Sequence, residues 1–144
     1  IIHITGPAGL QAAEHARATL PPTLAERYHP APFRTDLPTI MLAADLGIFR
    51  AGASILGELP AASLPAILVP GTFAGAHQRH NARWLADQNA AILLEENQLH
   101  TLPDIVTHLL DNPAKLQAMR TAAHTLARPT AAAEIARLII QVAK

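Results

Sequence analysis

The sequence predicts an α/β fold of the Rossmann type, an open parallel sheet with flanking helices. Short runs rich in β-branched residues alternate with helical stretches of about ten residues, a spacing that is typical of parallel βα units. Some of these runs, such as Ala66-Ile67-Leu68-Val69, are apolar at every position, as expected for strands that are covered on both faces. A length of 144 residues suits one domain, so we predict a single domain over residues 1–144.

Prolines separate several of the predicted elements. Pro21-Pro22 is expected to end the first helix, and Asn112-Pro113 and Arg128-Pro129 divide the last three helices from one another. The predicted strands are residues 1–5, 28–33, 46–49, 66–69 and 90–94. The predicted helices are residues 10–20, 37–44, 54–62, 78–88, 102–110, 115–127 and 130–142.

The composition argues against several classes of function. Eleven Lys and Arg residues balance eleven Asp and Glu residues, so the chain lacks the excess positive charge expected of a nucleic-acid-binding face. The absence of cysteine removes disulfides and thiolate metal sites. No apolar run approaches the roughly 20 residues of a membrane-spanning helix. The composition therefore favours neither a nucleic-acid partner nor a thiolate metal site nor a membrane span.

The segment after the predicted strand 46–49 is a candidate phosphate site. It reads Arg50-Ala51-Gly52-Ala53-Ser54, and its small residues would let a ligand approach backbone N–H groups at the start of a helix. Glu58 lies one helical turn beyond Ser54, where its carboxylate could accept hydrogen bonds from a ribose diol. An ordinary βα turn, with Ser54 as helix cap and Glu58 solvated, explains the same spacing and is the commoner situation.

The segment after the predicted strand 66–69 ends in a dense polar group. His77, Gln78 and Asn81 can both donate and accept hydrogen bonds, which suits the hydroxyl groups of a sugar. A metal site at His77 and His80 is not favoured, because no third ligand stands near them in the sequence. Ordinary polar capping at the start of a helix remains an equal alternative.

Together these segments resemble the donor-binding domain of the MurG-type UDP-N-acetylglucosamine transferases, which belong to glycosyltransferase family 28 and to the GT-B class. The resemblance covers nearly the whole chain in order. It rests on Ile2-His3-Ile4-Thr5-Gly6, Phe33, Leu37, Ala44-Asp45, Arg50, Gly52-Ala53, Glu58, Leu64 to Pro70, His77-Gln78-Arg79-His80-Asn81-Ala82, Leu116, Met119, Ala127-Arg128-Pro129 and residues 131–135.

The resemblance assigns roles to residues of the first polar segment. It implies that Glu58 holds the ribose hydroxyls, and that the backbone after Arg50, at Gly52, Ala53 and Ser54, meets the diphosphate. Arg50 itself is implied to be a substrate-binding residue. A departure from the family pattern is Ile55, which stands where a hydroxyl-bearing residue is usual.

The resemblance also implies contacts to the two ends of the nucleotide sugar. The backbone at Phe33 and Arg34 would meet the uracil edge, and Gln78 with His77 and Asn81 would hold the GlcNAc hydroxyls. The implied substrate is UDP-GlcNAc, and neither a cofactor nor a metal is expected.

Within the family, a complete enzyme has a preceding acceptor domain and a glycine-rich loop. We expect both to lie upstream of Ile1, so that residues 1–144 form a truncated donor domain without a catalytic residue of its own. The implied activity is then that of a hexosyltransferase of peptidoglycan biosynthesis, tied to cell wall, cell shape and cell division. The implied acceptor is lipid-linked, and the implied location is cytoplasmic, at the inner face of the cell membrane. Nucleic acid is not an expected partner.

Three other functions fit the same residues. The chain could belong to another GT-B enzyme, such as a glycolipid glycosyltransferase or a UDP-sugar 2-epimerase. It could be the donor-binding subunit of a split GlcNAc transferase. It could also be a degenerate domain that is kept for structure, and loss of UDP binding would identify that case.

Overall fold

The computed structural model describes residues 1–71 and 77–143, which form two compact units, Ile1–Leu37 and Pro38–Lys144. The first unit contains β1 (Ile2–Ile4), α1 (Gly6–Ala18), the single turn α2 (Pro22–Ala25) and β2 (His29–Ala31). β1 and β2 pair in parallel, with Ile2 opposite His29.

Helix α1 begins earlier than the sequence predicts. Gly6 has a φ of +69°, which only glycine adopts readily, and this backbone conformation turns the chain from β1 directly into the helix. Pro7 then lies in the first turn, where the missing N–H has no partner to lose.

The second unit holds the sheet that positions the candidate site. Helix α3 (Leu37–Ala43) begins at the boundary between the units. It is followed by β3 (Gly47–Phe49), α4 (Ile55–Ala62), β4 (Ala66–Leu68), α5 (His77–Asp87), β5 (Ala91–Leu93), a 3-10 helix (Glu96–Thr101), α6 (Leu102–Leu110), α7 (Pro113–Thr125) and α8 (Ala131–Val142). The three strands are parallel in the order β3-β4-β5, with β4 in the centre.

Strand β4 is buried at every position, as its uninterrupted apolar sequence predicts. Ile67 is 0% exposed and packs in a cluster with Val69, Leu94, Leu109 and Met119. Burial of each such side chain stabilises the fold by about 1.5–3 kcal/mol. The cluster packs α6 and α7 against the sheet. It thereby holds in place the strands from which the three following segments extend.

Two ring side chains of the helices and strands lie at the surface. Trp84 is 45% exposed, because α5 buries the face that carries Ala82 and Leu85. His3 in β1 is exposed, and its Nδ1 lies 2.6 Å from the Tyr28 hydroxyl.

The helices of residues 1–71 and 77–143 include none that could span a membrane. None of them combines the length and the apolar character that crossing a bilayer requires.

Candidate functional site

The carboxyl ends of β3, β4 and β5 meet at one edge of the parallel sheet, and the two polar segments of the second unit lie there. Parallel pairing puts Phe49 beside Leu68, and Leu68 beside Leu93. The segments that follow these residues are consequently neighbours. This is the edge at which open α/β sheets bind their ligands.

The segment between β3 and α4 presents a row of free backbone donors. The N–H groups of Gly52, Ala53, Ser54 and Ile55 have no acceptor among the described residues. From the next residue onward the donors are used, beginning with Leu56 N–H to the Ala53 carbonyl at 3.2 Å. We call residues 52–55 the amide turn. Free N–H groups at a helix start carry partial positive charge, so the amide turn suits an anion such as a phosphate.

Space for a ligand lies beside this turn. A Cβ added to Gly52 would meet no atom of the described residues within 4 Å, and the φ of Gly52 is outside the left-handed region. Glycine is therefore not required here by packing or by backbone strain. Its small size leaves the amide turn open.

Glu58 lies in the first turn of α4 and is exposed. It makes no hydrogen bond or ion pair with another side chain among the described residues. Ser54 occupies the cap position of α4, yet its side chain makes no capping bond. The Glu58 carboxylate is thus available to a ligand, and its assignment to ribose stays a prediction.

Arg50, at the end of β3, joins three segments of this edge. Its Nη1 donates to the carbonyl oxygens of Val69 at 3.5 Å and Pro70 at 3.4 Å. Its Nη2 donates to Glu96 Oε1 at 2.8 Å. The resemblance counts Arg50 among the substrate-binding residues, and this stays a prediction. In the structure its guanidinium also holds the start of the segment after β4.

Helix α5 is tied to both polar segments. Gln78 Oε1 accepts the Gly71 N–H at 2.7 Å, and Asn81 Nδ2 donates to the Ala51 carbonyl at 3.0 Å. Because the carbonyl oxygen of Gln78 faces Gly71, its amide nitrogen points elsewhere and makes no hydrogen bond within the described residues. His77 is exposed at the start of α5. Residues 72–76 of the same polar segment lie outside the described residues.

The two remaining predicted residues, Phe33 and Arg34, lie in the first unit. The side chain of Phe33 is 71% exposed. Arg34 donates two hydrogen bonds to Asp36, from Nε at 2.7 Å and from Nη2 at 2.5 Å. The hydrogen bond from Arg34 lowers the pKa of Asp36, and the same bond raises the pKa of Arg34. The predicted contact of Phe33 and Arg34 with uracil uses their backbone atoms. The ion pair uses the Arg34 side chain and leaves those atoms available.

Two carboxylates that the sequence analysis passes over lie at the same edge as the amide turn. Glu95 and Glu96 follow β5 after one intervening residue, Leu94. Glu95 pairs with Arg79 at 2.8 Å, and Glu96 pairs with Arg50. Their position just after a predicted parallel strand could have identified them. Residues at the carboxyl ends of parallel strands lie together at the edge where ligands bind.

Metal-ligating groups do not cluster in the part of the chain that the structure describes. Within residues 1–71 and 77–143, no three His, Asp or Glu side chains come together in a way that could hold an ion.

Comparisons with known proteins identify the family. The profile of the glycosyltransferase family 28 C-terminal domain matches residues 1–137. A UDP-N-acetylglucosamine–N-acetylmuramyl-(pentapeptide) pyrophosphoryl-undecaprenol N-acetylglucosamine transferase of Listeria monocytogenes is 35% identical over 147 aligned residues, which cover 100% of this chain and 40% of that protein. A transferase of the same name from Desulforudis audaxviator is 42% identical over 116 residues, covering 78% of this chain and 31% of that protein.

A solved structure agrees with the sequence comparison. The crystal structure of Acinetobacter baumannii MurG superimposes with a TM-score of 0.84 at 31% sequence identity, covering 98% of this chain and 40% of that one. The chain thus spans about 40% of the length of the relatives that match all of it. The resemblance and the Rossmann-like α/β fold expected from the sequence are confirmed. The chain belongs to the glycosyltransferase family 28 C-terminal domain family.

Proposed function

We propose that this chain is the donor-binding domain of a UDP-GlcNAc transferase that extends a lipid-linked peptidoglycan precursor. The observation that carries the proposal is the amide turn. Four consecutive N–H groups without acceptors among the described residues adjoin the start of α4 in a member of this family. The names of the relatives supply the donor sugar and the undecaprenyl diphosphate acceptor.

The amide turn would neutralise the donor diphosphate. Backbone N–H groups that have no acceptor among the described residues can donate to a phosphate oxygen without breaking a hydrogen bond to one of those residues. The partial charge of the α4 N-terminus adds to this, and it would also stabilise the charge that builds on the diphosphate as it leaves. A metal ion is not needed in this account, since the helix and the amides supply the compensating charge.

Glu58 would bind the ribose. Its exposed carboxylate stands one helical turn from the amide turn and has no competing side-chain partner among the described residues. A carboxylate can accept two hydrogen bonds from a vicinal diol, and bonds to a charged group contribute about 1.5–3 kcal/mol.

Gln78 would contact the hexose. Its carbonyl oxygen is committed to Gly71, so its amide nitrogen is the group that remains for a sugar hydroxyl. His77 and Asn81 belong to the same helix, and Asn81 connects that helix to Ala51, immediately before the amide turn. This supports a site in which the sugar lies beside the diphosphate.

The reaction itself needs groups beyond those proposed here. Transfer to an acceptor hydroxyl requires a base near that hydroxyl as well as a stabilised leaving group, and this stretch would supply only the second. We propose that an acceptor domain in the full-length protein supplies the base and the contact with the cytoplasmic face of the membrane. Residues 1–144 alone would then transfer no sugar.

Calorimetry on the full-length polypeptide tests the proposal. UDP should bind, and Glu58→Ala should weaken it by about 10- to 100-fold, the equivalent of one charge-assisted contact. Glu14→Ala is the control. It also removes an exposed carboxylate, but one that lies in the first unit, and it should leave the affinity for UDP unchanged. Equal UDP affinity in all three proteins would refute the ribose assignment, and no binding of UDP by the wild type would refute the function.

A further inference from the structure

A chain of hydrogen bonds runs along the sheet edge from Glu96 to Gln78. Glu96 Oε1 accepts from Arg50 Nη2, and Arg50 Nη1 reaches the carbonyl oxygens of Val69 and Pro70. The next residue, Gly71, donates its N–H to Gln78 Oε1 at 2.7 Å. The contacts connect the 3-10 helix after β5 with the first turn of α5, through the backbone between them.

We propose that Glu96 is a positioning residue for the hexose end of the donor site, an inference that rests on the proposed function. Glu96 holds the Arg50 guanidinium over the Val69 and Pro70 carbonyls. These carbonyls fix the backbone that leads to Gly71, and Gly71 in turn fixes the orientation of the Gln78 amide. Glu96 itself touches no part of the nucleotide sugar in this proposal.

The side chain of Arg50 is long and can adopt more than one rotamer. The bonds to Val69 and Pro70 are long, at 3.5 and 3.4 Å, and are weak by themselves. The 2.8 Å ion pair with Glu96 is shorter and charge-assisted, so it selects the rotamer that keeps the guanidinium over the two carbonyls. Arginine suits this task because its planar group donates in several directions at once.

A neighbouring ion pair offers a matched control. Glu95 has the same charge, lies one residue away and pairs at 2.8 Å with Arg79, which makes no bond to Val69 or Pro70. Removing either carboxylate changes the local charge equally. Only Glu96 connects with the backbone that leads to Gln78.

The test uses the full-length polypeptide and two ligands, UDP and UDP-GlcNAc, with affinities measured by calorimetry. The quantity of interest is the dissociation constant of UDP divided by that of UDP-GlcNAc. UDP carries more negative charge than UDP-GlcNAc, because its terminal phosphate has a second ionisable oxygen. Loss of a nearby carboxylate therefore affects the two ligands differently, and Glu95→Ala measures that effect of charge alone. Glu96→Ala should lower this ratio by about two- to fivefold, the equivalent of one exposed ion pair. Glu96→Gln keeps an oxygen acceptor for Arg50 and should stay near the wild-type ratio, as should Glu95→Ala.

Arg50→Lys provides a second variant, since lysine can pair with Glu96 but cannot also span two carbonyls. It should lower the ratio as Glu96→Ala does. An unchanged ratio in Glu96→Ala or in Arg50→Lys overturns the inference while leaving the proposed function intact, because wild-type UDP binding is then still observed. An equal fall in Glu95→Ala also overturns it. If the wild type binds neither ligand, the proposed function fails and the inference fails with it.

Discussion

Gly52→Ala separates the binding role of the amide turn from its role in the fold. The added methyl group would meet nothing within 4 Å, and the φ of Gly52 is compatible with alanine. The folded state should consequently tolerate the change, and reduced freedom of the unfolded chain should stabilise the protein by about 0.4–1 kcal/mol. A phosphate that approaches the amide turn would, by contrast, meet the new methyl group.

The expected loss of affinity follows from the hydrogen bonds at risk. One charge-assisted bond between a backbone N–H and a phosphate oxygen contributes about 1.5–3 kcal/mol, so losing one should weaken UDP binding by about 10- to 100-fold. The assay is calorimetric titration of UDP into the full-length polypeptide, with thermal unfolding measured on the same samples.

Gly57→Ala is the matched control for this experiment. A Cβ at Gly57 also meets nothing within 4 Å, but Gly57 lies inside α4, and its N–H already donates to the Ser54 carbonyl at 3.1 Å. Alanine should stabilise the helix by about 0.5–1 kcal/mol and leave UDP affinity unchanged. If Gly52→Ala unfolds at the same temperature or higher and still binds UDP as tightly as the wild type, the amide turn is not the diphosphate site.

Three further outcomes are expected. Gln78→Ala should reduce discrimination between UDP-GlcNAc and UDP-GalNAc in competitive binding while leaving plain UDP nearly unaffected, and an equal loss for all three ligands would make Gln78 structural. Chelation by EDTA should not change UDP affinity, and a fall that added Mg²⁺ restores would contradict the metal-independent account. Leu109→Ala should lower the free energy of unfolding, measured in urea, by about 2–5 kcal/mol, because Leu109 is 0% exposed. Ile48→Ala changes a side chain that is 49% exposed and should lower it far less. Equal losses of stability would contradict the assignment of Leu109 to the core.

The sequence was sufficient to predict the main elements of the second unit. β4 is uniformly apolar, and the predicted bounds of α6 match those of the structure, with Asn112-Pro113 separating it from α7. The prediction contains neither α2 nor the 3-10 helix. Each is too short to develop a periodic pattern of apolar residues, and the 3-10 helix has Glu95 at its N-cap, where Ser, Thr, Asp or Asn would indicate a helix start.

The sequence selects candidate site residues but does not indicate their partners. Gly52, Glu58 and Gln78 are selected by their positions in the motifs that carry the resemblance, and their roles as binding residues stay predictions. The ion pair of Arg50 with Glu96 joins residues 46 positions apart, and its formation depends on where β5 ends relative to β3. That information belongs to the assembled sheet, and no local pattern contains it.

The strand order of the second unit also bears on how the protein folds. Because β3, β4 and β5 are neighbours in the same order in which they occur along the chain, each pairing closes only one βα crossover. Low separation between pairing partners favours rapid folding, and loop closure for each new strand adds little entropic cost. A ribosome releases β3, the amide turn, α4 and β4 before β5 is made. Ile67 of β4, however, packs against Leu94, Leu109 and Met119, which all come later in the chain. The predicted diphosphate site should therefore become stable only once α6 and α7 have been made.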